Sequence, residues 1–399
     1  MANDLAAVHF IKNKTILIIS PQFWGTMFLS KHHYAMELAK NDNTVYFLNP
    51  PYLAHDKKKS KKTVSIERMD SSVNLFLIYH RILIPYFLKF HFISLFHLLI
   101  EYHIKKILRQ IGHIDIVWSF DLGNLYPFHF FPKTALRIFH PVDEPLSQSA
   151  LDAAIGANII FSVTNEILSK YSSFDVPKYH IQHGISESFL KENVGIRQNS
   201  SIRVGISGNL LRPDIDRPVL LQIIRENPQV IFECWGSYLA NDSNIGAADS
   251  EETRIFIMAL KNFQNVRLHG AIASSALASE FQRMDAFLIC YDVQKDQSRG
   301  TNYHKVMEYL STGKVIVSNN ITLYKDRPDL VCMVMERNNN VQLPALFSGV
   351  ISHLDRYNSN DLIRCRKSFA SENTYTKQIE RIEKFLTDLK QELVVAKSI

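Results

Sequence analysis

Short runs rich in Ile, Val and Phe recur along the chain, and between them apolar residues return every three or four positions. The first pattern reads as buried strand, the second as amphipathic helix. TILIIS (15–20), SKHHYAMELAK (30–40) and TVYFLNP (44–50) open the series as strand, helix and strand. After a basic loop, NLFLIYH (74–80) is a strand, a long aromatic helix covers 82–108, and IDIVWSF (114–120) returns to strand. Further strands are expected at 135–140, 158–163 and 178–184. LKENVGIRQNSS (190–201) is polar and unpatterned and reads as a linker.

A second series starts at IRVGISG (202–208) and continues through the strands VIFECWG, NVRLHG, AFLICYD and KVIVSN. Helices are expected at 217–227, where Pro218 suits a first turn, and at 251–263, 275–284 and 303–312. The last helix, 374–393, carries an apolar stripe at 375, 379, 382, 386 and 389. Strands alternating with helices imply parallel sheets covered on both faces, and two such series imply two doubly wound α/β domains. A length of 399 residues agrees with two cores. The expected parts are a domain at 1–190, a domain at 200–370 and a terminal helix within 371–399. In such sheets ligands bind beyond the carboxyl ends of the strands.

Composition narrows the class. A hydrophobic share of 46% against 21% charged is that of a folded globular chain. The four cysteines lie far apart without C-x-x-C spacing, which argues for a reducing compartment and against a disulfide framework or zinc site. No secretory signal is visible, so a cytoplasmic location is expected. The net charge of +6 fits anionic ligands or an anionic membrane surface, and no concentrated basic stripe points to nucleic acid. The 82–108 stretch is broken by Lys89, His91 and His97, so it does not read as a span. Two readings of it stay open: a helix lying on a membrane face, helped by the lysine tract KKKSKK (57–62), or a large buried helix beside a solvated loop.

With only 14 glycines, their placement carries information. Gly208, Gly236, Gly270 and Gly300 fall at or just after expected strand ends, where a missing side chain lets backbone N–H groups approach phosphate oxygens. Neither G-x-G-x-x-G nor G-x-x-x-x-G-K-[ST] occurs, which argues against a dehydrogenase or a P-loop enzyme. In NYHKVMEYLSTGKVIVSNN (302–320), Tyr303, Val306, Met307 and Leu310 form the buried stripe. Lys305 and Glu308 fall on the other side, and Gly313 closes the helix. On a solvated face such a pair contributes a few tenths of a kcal/mol. Behind the loop that carries Arg299, Gly300 and Thr301, it also suits an anion and a ribose diol.

These residues resemble the donor-binding segment of GT-B glycosyltransferases, especially family 4 and its relatives. That segment has a Glu, seven residues, a second Glu, a small-residue turn and an apolar strand. NVRLHGAIASSALASEFQRMDAFLICY, VGISGNL and RKSFASENTYTKQIERIEKFL resemble the same family's nucleobase region, first donor-domain strand and crossing helix. SPQFWGTMFLSKHHYAMELAKNDNTVYFLNP and FHPVDEP resemble members acting on bacterial cell-surface polysaccharide, of the teichuronic-acid type.

The resemblance implies a GT-B fold, two Rossmann-like domains facing a central cleft, with a C-terminal crossing helix. It also implies metal-independent transfer of a sugar from a nucleoside diphosphate sugar to a glycan or lipid-linked acceptor, with no cofactor besides that donor. The setting would be the cytoplasm, peripheral at the inner face of the plasma membrane. Glu308 would bind the donor ribose. The position of the first Glu, however, holds Gly300, and the usual Arg and Lys after the first donor-domain strand are replaced by GNLLRPDIDRP. Arg212, Arg299 or Lys305 are the candidate substitutes on the diphosphate, and Gly25 is a candidate for close approach to it. Asp143 in HPVDEP and His33 on the first helix are the candidate bases for the acceptor hydroxyl. A GT-B-shaped scaffold without catalysis is the alternative. A metal-dependent enzyme of the GT-A type using Asp214-Ile215-Asp216 is a third reading.

Overall fold

The computed structural model describes residues 11–25, 27–52, 63–84, 87–191, 201–239 and 250–396. The lysine tract 57–62 and nearly all of the expected linker lie outside these residues. The described chain falls into two compact units. One holds the chain up to Trp24, Lys31–Ile181 and everything from Thr376 on; the other holds Gly25–Ser30 and Gln182–Tyr375.

The first unit runs β1 (Thr15–Ile19), α1 (Ser30–Lys40), β2 (Thr44–Leu48), β3 (Val64–Arg68), β4 (Leu75–His80), α2 (Leu88–His91), α3 (Ile93–Ile111), β5 (Ile116–Ser119), β6 (Leu136–Phe139), α4 (Gln148–Asp152), β7 (Ile159–Ser162), α5 (Asn165–Lys170) and β8 (Lys178–His180). Its eight strands lie in the order β3-β4-β2-β1-β5-β6-β7-β8. All pairings are parallel except β3 with β4. The expected single aromatic helix is broken at Phe92, whose backbone leaves the helical region at φ −140°, ψ 60°. β3 was not expected: its half-polar sequence VSIER is only partly buried and has no apolar run to announce it.

The second unit runs β9 (Arg203–Ser207), α6 (Arg217–Glu226), β10 (Ile231–Trp235), α7 (Glu251–Asn262), β11 (Val266–Gly270), α8 (Ser274–Phe281), β12 (Ala286–Ile289), α9 (Lys305–Leu310), β13 (Val315–Ser318), β14 (Cys332–Met333), α10 (Leu343–Ser352), α11 (Leu354–Tyr357) and α12 (Asn360–Ser371). The last helix, α13 (Tyr375–Ala396), starts here and belongs to the first unit from Thr376 on. The six-stranded sheet is parallel throughout, in the order β11-β10-β9-β12-β13-β14. Its four central strands are buried on both faces, and their side chains alternate between two cores. Leu288, Val315 and Val317 pack with α6, α7 and α10, while Phe287, Ile289 and Ile316 pack with α8 and α9.

Both sheets turn back on themselves in the same way. The chain builds outward from β1 to β2, then places β5 on the free side of β1; it builds outward from β9 to β10 and β11, then places β12 on the free side of β9. Each unit therefore has a topological switch point, between β1 and β5 and between β9 and β12, where the following loops diverge and leave a crevice.

The strand ends of the second unit pack so closely that glycine is required there. Gly236 has φ +130°, and a Cβ on it would stand 1.8 Å from the Gly208 carbonyl oxygen. Gly236→Ala is expected to destabilise the protein by about 3 kcal/mol in urea unfolding, since backbone must shift. Gly349→Ala, on the exposed side of α10 with open space around it, should instead stabilise by about 0.5–1 kcal/mol.

Candidate functional site

The crevice between β9 and β12 is occupied by a lysine. Lys305, the first residue of α9, is 6% exposed and turns inward to the sheet. Its ammonium donates to the Ser207 carbonyl at 2.5 Å and to the Tyr291 hydroxyl at 2.5 Å, with its Nζ 4.8 Å from the Tyr291 ring centroid. A Cβ on Gly208 would come within 2.7 Å of that Nζ. A small cavity opens here, lined among others by Ser207, Gly208, Asn209, Tyr291 and Lys305. Of the two readings of Lys305 and Glu308, the solvated surface pair does not hold for Lys305: the cation is drawn to the carboxyl ends of β9 and β12. Burial lowers the Lys305 pKa, opposed chiefly by Tyr309. Tyr309 is itself tied to the site, its hydroxyl accepting from the Ser207 N–H at 2.8 Å.

Glu308 sits one turn along α9, half-buried. Burial raises its carboxyl to about 7, against the pull of Lys305. Tyr375 lies within its electrostatic reach. Nearby, His183 meets the Ser30 hydroxyl at 2.9 Å and the ring of His304 at 6.2 Å, and a Cβ on Gly184 would strike the Tyr375 ring at 2.6 Å.

The loop before α9 is organised by one carboxylate that the sequence did not single out. Asp296, 4% exposed, accepts from the Ser298 hydroxyl, the Gly300 N–H at 3.0 Å and the Tyr303 hydroxyl at 2.9 Å. The Thr301 N–H and hydroxyl both go to the Ser298 carbonyl. The loop N–H groups expected to receive phosphate are therefore already bonded. Gly300 is needed for its left-handed backbone, φ +67°, and because a Cβ would stand 2.9 Å from the Asn320 carbonyl oxygen. Arg299 has φ +52° and an exposed side chain, so it is not gathered with Lys305. α9 itself has six residues against the ten expected, too short for a strong N-terminal dipole.

The strand-end glycines follow the same logic. The Gly208 N–H bonds the Trp235 carbonyl at 2.9 Å, and the Gly236 N–H bonds the Gly270 carbonyl at 2.8 Å. These glycines permit close packing of strand ends; their N–H groups are not turned to a ligand. Arg212 is also engaged. Its guanidinium grips Asp214 through Nε at 2.9 Å to both oxygens, and stands 3.7 Å from Asp296. Burial works against the charge, yet Asp214 holds the Arg212 pKa above its usual value. Asp214 is thus paired, and Asp216 caps α6 by accepting from the Val219 N–H while also accepting from Asn340. Both carboxylates of the Asp-x-Asp triplet therefore have protein partners. Among the described residues no group of three or more His, Cys, Asp or Glu could hold a metal ion.

In the first unit a second lysine stands at the switch point. Lys31, 2% exposed near the start of α1, donates to the Gln22 side chain beyond β1. Burial lowers its pKa to about 8, opposed by the charges of Asp143 and Asp121. Asp121 follows β5, and Asp143 follows β6. The structure thus brings Asp143 together with a cation that the sequence did not flag. His33 is 8% exposed, and burial with the nearby Lys40 charge lowers it to about 4, so it is neutral at pH 7 and packed away. Gly25 lies on the short segment counted with the second unit.

No family model matches the chain, and no curated protein matches it in sequence. Solved structures do match, at low identity. The sucrose-phosphate synthase of Thermosynechococcus elongatus aligns with a TM-score of 0.66 at 12% identity, covering 96% of this chain and 100% of that one. The E. coli trehalose-6-phosphate synthase solved with UDP-2-fluoro glucose aligns with a TM-score of 0.66 at 10% identity, covering 94% and 99%. Anabaena HepE, solved with UDP and glucose, aligns with a TM-score of 0.63 at 13% identity, covering 94% and 99%. The chain has the GT-B fold of these glycosyltransferases.

Glu308 makes a testable contribution to stability. Its folded pKa of about 7 lies above the ordinary 4.5. Between those values the folded state holds the extra proton, so this contribution is present below about pH 4.5 and is lost as pH rises through about 7. Urea unfolding from pH 4.5 to 7.5 is expected to show Glu308→Gln removing a downward slope worth on the order of 2 kcal/mol. Identical slopes in the two proteins would contradict it.

Proposed function

We propose that the protein is a metal-independent glycosyltransferase. It moves a sugar, of hexose type, from a nucleoside diphosphate sugar to a glycan or lipid-linked acceptor in bacterial surface polysaccharide synthesis. One observation carries the reading: a buried ammonium, Lys305, at the switch point of a parallel sheet, beside a small cavity and one turn from Glu308. Ligands of open α/β sheets bind at that place, and a departing diphosphate needs positive charge there. The fold supports the donor class, since neighbours sharing it were solved with UDP-sugars.

In this reading the second unit holds the donor. Lys305 exchanges one of its two acceptors for a phosphate oxygen, and Glu308 accepts from the ribose diol. Asp143, beside the Lys31 ammonium, is the base of this reading: it takes the acceptor hydroxyl proton as the acceptor oxygen bonds to the anomeric carbon and the diphosphate leaves. The protein works in the cytoplasm, at the inner face of the plasma membrane.

A second reading has its own observation. The loop N–H groups of Gly300 and Thr301 are internally bonded, and Arg212 is matched by Asp214 and Asp296. A GT-B-shaped subunit that binds without transferring a sugar would tolerate this.

Calorimetry with UDP, GDP, ADP and dTDP in the absence of metal tests the proposal. One nucleotide is expected to bind, with Lys305→Met and Glu308→Ala each weakening it by ~1–3 kcal/mol, the range for a lost hydrogen bond to a charged group. Binding of none of the four would overturn the donor site. Binding without turnover of any matching sugar donor, across acceptor extracts, would favour the scaffold.

A further inference from the structure

Half of the large apolar side chains left exposed among the described residues fall within one short stretch. Of fourteen such residues, seven lie between positions 83 and 102, including Leu83 (66% exposed), Phe92 (59%), Leu98 (63%) and Tyr102 (56%). Fold stability does not explain them. α3 already has an inner stripe of Phe96, Ile100, Ile104 and Ile107 buried in the core of the first unit. Leu95, Leu98 and Tyr102 form a second stripe at i, i+3, i+7 on the outer side of the same helix. An outward apolar stripe of this kind marks a surface that is covered by something else.

Charge indicates what covers it. Toward the C-terminal end the outer stripe turns basic, with Lys105, Lys106 and Arg109 all exposed. From 81 to 111 the sequence carries five basic residues (Arg81, Lys89, Lys105, Lys106, Arg109) and one acidic residue, Glu101. Lys105 is paired with Glu101 at 2.8 Å, and the Lys106 ammonium lies 4.8 Å from the Tyr102 ring centroid, at the border between the apolar and the basic halves. An apolar patch that grades through a tyrosine into cations matches the layers of an anionic bilayer: acyl chains, interface and phosphate. No described helix is long and apolar enough to cross a membrane, so the patch lies on the surface rather than through it. A second copy of the chain fits less well, because a two-fold interface on this face repeats a basic rim on both partners without an acidic complement.

We propose that the outer face of α3, from Phe92 onward, docks the protein on anionic lipid bilayers. The apolar residues Phe92, Leu95 and Leu98 enter the acyl region, and Lys105, Lys106 and Arg109 meet the lipid phosphates. The inference stands apart from the donor site of the second unit, so nucleotide binding can fail or succeed without bearing on it.

The test is co-sedimentation of the full chain with vesicles of phosphatidylcholine alone and of phosphatidylcholine with 30–40% (roughly one third) phosphatidylglycerol, at low and high salt. The wild type is expected to partition at least about tenfold more onto the anionic vesicles, with the preference reduced by salt. Phe92→Gln/Leu95→Gln/Leu98→Gln should reduce binding to anionic vesicles by about tenfold or more. Lys105→Gln/Lys106→Gln/Arg109→Gln should abolish the preference for anionic lipid while leaving the circular dichroism spectrum and melting temperature in place. Should the apolar variant fail to fold, the basic variant carries the test alone. Equal, weak partition of the wild type on both vesicles would overturn the proposal. So would a concentration-dependent dimer in sedimentation velocity that the apolar variant abolishes, since the face would then belong to a second copy.

Discussion

A charge taken out of water must be met by partners, and the candidate site is built around that requirement. Moving an ammonium into the interior costs several kcal/mol unless it is hydrogen-bonded. Lys305 meets the requirement with a main-chain carbonyl at the end of β9 and a tyrosine hydroxyl just past β12. Both become reachable because position 208 has no side chain. The hydroxyl of Tyr309, four residues along the same helix, accepts the N–H of Ser207 and so fixes the strand end that Lys305 uses. Asn319 accepts the Tyr291 N–H at 3.0 Å and holds the second acceptor in place. Strand, helix and loop are thus positioned relative to one ammonium group.

The first unit repeats the device with different neighbours. Lys31 also sits near a helix start at a switch point, but the charges that oppose its burial are those of Asp143 and Asp121, whereas Lys305 hydrogen-bonds two neutral oxygens and lies among Glu308, Asp214 and Arg212. That difference has a chemical meaning. Around Lys305 the neighbouring charges are of both signs, Glu308 and Asp214 against Arg212, while around Lys31 the balance is acidic, which suits a proton acceptor more than an anion. A buried carboxylate in β10 shows the opposite, structural use: Glu233 is matched by Arg203, Arg267 and His269, the last stacked on Trp235 at 5.1 Å.

Much of the fold was legible because buried parallel strands announce themselves. VIVS at 315–318 and IIFS at 159–162 are apolar up to a closing serine and fully buried, and both were expected nearly to the residue. β3 escaped notice because a partly exposed edge strand has no such run. In the site, Lys305 and Glu308 were visible from their place beside a turn, but the direction of Lys305 was not. On helical spacing it belongs to the polar side of α9, and only the sheet, about a hundred residues earlier in sequence, draws it inward. Lys31 looks like any lysine in a first helical turn, and Asp296 like any acid in a polar loop. Their roles come from partners in other loops, which no local pattern records. Arg212 misled for the same reason: its charge is visible in sequence, while its engagement with Asp214 and Asp296 appears only in three dimensions.

The last helix carries a consequence for the order in which the protein can assemble. Ile379, Ile382 and Leu386 of α13 are buried, Phe385 stacks on Tyr179 of β8 at 4.1 Å, and Glu383 accepts from the Ile11 N–H at 3.1 Å. These contacts complete a unit whose strands are made first. During synthesis the second unit can close on its own sheet as it emerges, whereas the first must keep its β8 side uncovered until the chain has grown past residue 376. The part translated earliest is therefore finished last, and a ribosome stalled anywhere between the two would leave that apolar side exposed to chaperones and to other nascent chains.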